Sequence, residues 1–211
     1  GDITAAWSTA SGGIFFSFFL AAQARTKFGA SVWDDRLYVV GGLNGSAANT
    51  NTVYISPKLS SGGNIAADSW QSDSDVPDVA RFGGTLITYA NNLYYFGGSN
   101  GTNYLNDGQV STIGYKTGTI AQSGTTLTGS GTTWTSAMVG SKVQYPDGST
   151  STITAFGSTT SLTVDVTKTV TAGTIYTIQD GSIGAWVFTT SMPKSVSQAE
   201  GFASNGYLYL V

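Results

Sequence analysis

The sequence predicts an all-β protein built from repeated four-stranded antiparallel units, with a smaller β module set among them. Three observations carry that prediction. A short pattern recurs in fixed order, its units are punctuated by glycine and turn dipeptides, and one segment changes abruptly to threonine-rich alternation. The 211 residues suffice for one large β domain or two smaller ones. Glycine stands at 28 and proline at four, too much glycine for a helical bundle and no triplet period for a collagen. Charged residues make up only 10%, but 40% apolar and 12% aromatic content is enough for a folded core. The surface is therefore uncharged and rich in Ser, Thr, Asn and Gly.

The repeat begins with Gly1-Asp2-Ile3-Thr4-Ala5-Ala6-Trp7. It returns as Gly63-Asn64-Ile65-Ala66-Ala67-Asp68-Ser69-Trp70 and as Gly181-Ser182-Ile183-Gly184-Ala185-Trp186. Downstream lie Leu37-Tyr38-Val39-Val40-Gly41-Gly42 and Leu93-Tyr94-Tyr95-Phe96-Gly97-Gly98, with the double glycines 56 residues apart. The third copy shows Leu208-Tyr209-Leu210-Val211. Arg25 and Arg81 each stand twelve residues before the Leu of their copy, and the third copy has no such arginine. Thr52-Val53-Tyr54-Ile55-Ser56 and Gln109-Val110-Ser111-Thr112-Ile113 follow the glycines.

Each Leu-Tyr run reads as a short strand buried on both faces. The paired glycines allow positive φ and close backbone approach where that strand turns away. Asn44-Gly45 and Asn100-Gly101 read as type I′ hairpin turns. Asn91-Asn92, Asn205-Gly206 and Asp34-Asp35 fill the turn before each buried strand. The apolar run Ile14–Ala22 is too short to span a bilayer and reads as a buried strand or strand pair.

The Leu-Tyr-x-x-Gly-Gly strand, the upstream Arg and the spaced Trp and Tyr resemble the kelch repeat, over roughly residues 1–112 and 179–211. The resemblance implies blades of a β-propeller, with the double-glycine strand near the central channel and the aromatics between blades. It makes Arg25, Arg81, Gly41, Gly42, Gly97, Gly98, Trp7, Trp70 and Trp186 structural motif residues.

Twenty of the thirty threonines fall between Thr112 and Thr177. Thr150–Phe156 and Ser161–Val166 alternate at period two, as half-buried strands do, and Pro146-Asp147-Gly148 reads as a tight turn between strands. The stretch Gly124–Gly140, with Ser161–Val164 and Ile175–Ile178, resembles a small β module of bacteriophage tail and bacterial surface proteins. The expected organisation is two blades over 1–113, an inserted sandwich- or barrel-like module over 114–179 in a blade-connecting loop, and the start of a third blade over 180–211. About 146 residues outside the insert make about 2.6 units, whereas a propeller closes with roughly four to eight blades. The remaining blades are expected from a longer polypeptide or from neighbouring chains.

Composition excludes much chemistry. Without Cys or His there is no disulfide, thiolate nucleophile, haem ligand or histidine-based triad. A net charge of −3 with scattered basic residues gives no footprint for nucleic acid. Asp68, Asp73, Asp75 and Asp78 form the densest carboxylate cluster and a candidate Ca²⁺ loop, but they lack the glycine and bidentate Glu of an EF-hand. The expectation is a solvated loop, with no metal and no cofactor. Asp35 and Glu200 are the remaining carboxylates considered for glycosidase work, and nothing in their spacing brings them together. Asn44 and Asn100 also fit the N-glycosylation pattern, though turn chemistry already accounts for them.

The expected function is non-catalytic: a binding or structural protein of a cell or particle surface, acting in adhesion, receptor recognition or a surface fibre. Its partners would be a protein or glycan ligand or copies of itself, with no nucleic acid and no membrane span. The alternatives are a propeller enzyme whose catalytic residues lie in further blades, and an intracellular kelch scaffold.

Overall fold

A computed structural model describes residues 25–58, 70–74 and 76–211. Trp7, the Ile14–Ala22 run, Asp68 and Asp75 lie outside the described residues. The chain divides into two compact units, residues 1–112 with 185–211, and residues 113–184. Every strand pair is antiparallel.

In the first unit, β1 (Gly29–Trp33), β2 (Arg36–Val40), β3 (Val53–Ile55) and β4 (Gln71–Asp73) form a four-stranded sheet in sequence order. The second sheet repeats it with β5 (Thr85–Tyr89), β6 (Asn92–Phe96) and β7 (Gly108–Tyr115). The third shows a hairpin of β14 (Gly201–Ser204) and β15 (Tyr207–Leu210) among the described residues. The Leu-Tyr strands are β2, β6 and β15. In the first two, Tyr38, Val39, Val40, Leu93 and Tyr95 are fully buried.

The hairpins leading into these strands turn through two residues of positive φ, Asp34-Asp35, Ala90-Asn91 and Asn205-Gly206. That geometry matches the right-handed twist of the strands it joins. The middle turn therefore falls one residue earlier than Asn91-Asn92, and Asn92 opens β6. Asn44 and Asn100 work differently from the type I′ expectation. Each uses its side-chain oxygen, Asn44 accepting from the Ser46 and Ala48 amides and Asn100 from those of Thr102 and Asn103. Both are Asx-type loop caps.

Neighbouring sheets meet through their first strands, β1 against β5 and β5 against β14. The Ser31 and Thr88 hydroxyls are 2.9 Å apart, Trp33 Nε1 donates to Asn91 Oδ1 at 3.1 Å, and Thr85 Oγ1 donates to the Ala199 carbonyl at 2.7 Å. The strands of closest approach are thus those preceding the double-glycine strands. Small residues there allow it: a Cβ on Gly201 would stand 2.5 Å from Thr85 Cγ2.

The fourth strand of the second sheet is β13 (Val187–Thr189), which pairs with Gly108–Val110 of β7. Residues 187–189 therefore complete the second sheet, whereas the sequence reading has them in a third blade. The reason is the place of the tryptophan. Trp70 precedes β4 and Trp186 precedes β13, so this landmark opens the last strand of a sheet rather than a new sheet. The intervening residues 113–184 accordingly leave the second sheet between its third and fourth strands, not from a loop between blades.

Within the second unit, the end of β7, β12 (Thr177–Ile183), β9 (Lys142–Gln144), β10 (Thr150–Ser158), β11 (Ser161–Thr174) and β8 (Thr119–Ser130) hydrogen-bond in that order. Ile120, Leu127, Val143, Ile153, Leu162, Val164 and Ile178 come from across this sheet, and Trp134 from the segment after β8, into one buried cluster, so the sheet curls around its own core. An unpaired polar group would be costly there, and the polar side chains at its centre are bonded. Trp134 Nε1 donates to Tyr176 Oη at 2.8 Å, which donates to the Thr117 carbonyl at 2.8 Å. Gln122 Nε2 donates to the Gly124 and Val166 carbonyls, both at 2.8 Å, and Gln122 Oε1 accepts from Tyr145 Oη. The Gln122 bonds fasten the place where the β8–β11 register slips between Thr163 and Lys168. The unit's entering and leaving strands lie side by side, with Ile113 opposite Ile183.

Candidate functional site

The Arg81 backbone bonds across to the first sheet, whereas the side chains of both repeated arginines bond within their own sheets. Arg81 is fully buried, and its guanidinium donates to both oxygens of Asp107 at 2.7 and 2.8 Å. It also donates to the Gly97 carbonyl at 3.0 Å and lies 5.5 Å from the centre of the Tyr95 ring. Gln109 extends the network, donating to Asp107 Oδ2 at 3.3 Å and accepting from the Asp78 amide at 3.0 Å. Burial pushes the Asp107 carboxyl up, but the Arg81 hydrogen bonds and charge outweigh it and hold the group below the usual carboxylate range. Arg25 is half-buried, with Nη2 donating to Thr52 Oγ1 at 2.6 Å and its guanidinium 5.4 Å from the Tyr54 ring centre. Thr52 holds the place of Asp107: the Gly41 amide bonds the Thr52 carbonyl and the Gly97 amide the Asp107 carbonyl, each at 3.0 Å.

The double glycines divide their work. Gly41 and Gly97 bond within their own sheet, whereas the second glycine of each pair reaches the next one. Gly42 N–H donates to the Arg81 carbonyl at 2.8 Å, and Gly98 N–H to the Val196 carbonyl at 2.7 Å. Val196 thus occupies in the third sheet the place of the arginine. Gly42 and Gly98 have φ of +94° and +89°, and a Cβ there would stand 2.6 Å from the Thr26 carbonyl oxygen and 2.7 Å from that of Phe82. No other residue type fits.

A second seam bond recurs where the first strands converge. Gly83 N–H donates to the Lys27 carbonyl, and Gln198 N–H to the Gly83 carbonyl, both at 2.7 Å. All three residues are left-handed, with φ of +53° at Lys27, +65° at Gly83 and +59° at Gln198. Residues 27–30, 83–86 and 198–201 line a hollow of about 340 Å³.

The other predicted residues are dispersed. Trp186 packs edge-on to Tyr95 with ring centres 6.2 Å apart, and Trp70 is half-buried. Asp73 ends β4 opposite Val53, and Asp78 uses its amide on Gln109. Among the described residues, no three His, Cys, Asp or Glu side chains come together as metal ligands. Asp35 lies in the β1–β2 turn, while Glu200 pairs its backbone with Val211. Sequence reasoning missed Asp107, because the first copy has Thr52 in that role. It also missed the left-handed set, because only Gly83 of the three is a glycine.

Stacked four-stranded antiparallel sheets, stitched through paired glycines at the end of a buried Leu-Tyr strand, are blades of a kelch-like β-propeller. In agreement, the family model of the kelch motif matches residues 24–55, the stretch that holds Arg25, β1, β2, Gly41-Gly42 and β3. No curated protein matches the chain. Among the described residues, no helix is long and apolar enough to cross a membrane.

Proposed function

We propose that this chain is a non-catalytic binding scaffold displayed on a cell or particle surface, made of kelch-like blades and the inserted module of residues 113–184. The observation that carries the reading is the use made of the repeat's signature residues. The Arg81 and Asp107 side chains are spent on tying the second sheet together and the second glycines on joining sheets, which leaves the variable loops to make contacts, as on other scaffolds. Kelch motifs mediate protein interactions, which supports a protein partner. The uncharged Ser/Thr/Asn surface suits a chain exposed outside the cell. The likeness of residues 124–140, 161–164 and 175–178 to a module of phage tail and bacterial surface proteins points the same way.

The test is accessibility in the native setting. An antibody raised against residues 113–184 should label intact, unpermeabilised cells or particles that carry the protein. Labelling only after permeabilisation would refute surface display and leave an internal scaffold.

A further inference from the structure

Asparagine or aspartate stands directly before glycine at six places: Asn44, Asn100, Asp107, Asp147, Asp180 and Asn205. The pair carries a reaction of its own, because a glycine has no side chain to keep its amide nitrogen from the side-chain carbonyl carbon just before it. The fold ties down five of the six. Asn44 and Asn100 each hold two backbone amides on Oδ1. Asp107 is clasped by Arg81, Asp147 by Lys168 and Ser149, and Asp180 by the amide and hydroxyl of Ser182.

The sixth is different. The Asn205 side chain has no hydrogen-bond partner among the described residues, and the Gly206 N–H takes no part in the backbone bonds of the turns and loops. The two residues are the exposed tip of the β14–β15 hairpin, with φ of +49° and +82°. The matching tip of the second sheet, Ala90-Asn91, has β1 on one side of its hairpin and β14 on the other, and Ala90 is still exposed. Position 205 therefore stays open to water when a further sheet lies against its own hairpin.

We propose that Asn205 is a modification site, the Asn-Gly pair at which the folded chain deamidates. The tip rotates out of its left-handed turn, which breaks no side-chain bond. The Gly206 nitrogen gives up its proton and bonds to Asn205 Cγ, and the side-chain nitrogen leaves as ammonia, closing a succinimide ring. Water then adds to either ring carbonyl and opens the ring, to an aspartate or to a β-linked isoaspartate. Water is the only co-reactant, and nothing is oxidised or reduced. Each product puts a new negative charge on a sparsely charged surface. The β-linked one also adds a backbone carbon to a turn whose two left-handed residues match the strand twist. Asn44 and Asn100 must first release two amides, which slows them by about tenfold or more. The proposal goes beyond the scaffold reading and does not depend on it.

The experiment incubates the folded 211-residue chain in mildly alkaline buffer, with a parallel sample in concentrated guanidinium. Tryptic peptides hold the three Asn-Gly pairs separately. Mass spectrometry follows their gain of about 1 Da, and enzymatic methylation scores isoaspartate. In the folded chain Asn205 should convert about tenfold or more faster than Asn44 and Asn100, and give both products. In guanidinium the three rates should converge, because the caps on Asn44 and Asn100 are gone. Equal rates in the folded chain, a faster Asn44 or Asn100, or no conversion at Asn205 while the unfolded sample converts would each overturn the proposal. So would a lead of Asn205 that persists undiminished in guanidinium, since local sequence rather than the fold would then set it.

Discussion

Replacing Asp107 by Asn strips the charge partner from Arg81 while keeping the side-chain volume. Arg81 has no exposed side-chain surface, and Asp107 is about one-fifth exposed. Breaking a buried ion pair by removing one member costs roughly 3–5 kcal/mol, because the remaining charge stays in a poor dielectric. Asn keeps one acceptor oxygen, and the Gly97 carbonyl stays in place at 3.0 Å, so the lower end, about 3 kcal/mol, is expected. The assay is urea unfolding of the first unit, with Asp107→Asn, Arg81→Met and the double variant forming a thermodynamic cycle. The double variant should recover part of the loss, since it leaves no buried charge. A loss below about 1 kcal/mol in Asp107→Asn would refute the claim that this pair ties the second sheet together.

The remaining predictions concern pH and single positions. Asp107 has a folded pKa below its unfolded value, so its stabilisation is complete above the ordinary carboxylate pKa of about 4 and is lost as pH falls through the folded value; Asp107→Asn should flatten that acid limb of the stability profile. Burial raises the Tyr95 and Tyr176 hydroxyls well above the ordinary tyrosine value, so stability should be intact below about pH 10 and fall as pH rises beyond it, with Tyr176→Phe reducing the slope in residues 113–184. Gly98→Ala forces a Cβ against the Phe82 carbonyl at positive φ and should cost at least about 1–2 kcal/mol by thermal or urea unfolding. Gln122→Ala leaves the Gly124 and Val166 carbonyls without their side-chain donor and should cost about 1–3 kcal/mol in the 113–184 transition alone.

Much of the blade architecture was legible because its signals are backbone requirements. A Leu-Tyr-Val-Val run ending in Gly-Gly has few other uses, and the structure makes it β2 with a seam-crossing Gly42. The strands of the threonine-rich segment were legible for a similar reason, since alternation over Thr150–Phe156 and Ser161–Val166 suits only a one-sided strand. Coming first in each sequence copy, the tryptophan looks like the head of a blade. Pairing, which sequence order does not reveal, makes Trp70 and Trp186 the heads of fourth strands. Asn44 and Asn100 mark turns in the sequence without revealing their kind, because Asn-Gly serves both a type I′ turn and a side-chain cap. The side-chain partner of Arg81 and the left-handed Lys27 and Gln198 left no trace, since each takes a different residue type in different copies.

The central claim is that a self-contained module interrupts the second sheet between its third and fourth strands. The most direct measurement is thermal unfolding of residues 113–184 expressed alone, followed by the near-ultraviolet signal of Trp134, the tryptophan of that segment. The account predicts a cooperative transition close to that of the same segment in the full chain, because its buried cluster draws only on its own strands. A segment with no fixed near-ultraviolet signal and no cooperative transition would show that it needs the sheet around it, and the claim of an independent insert would fail.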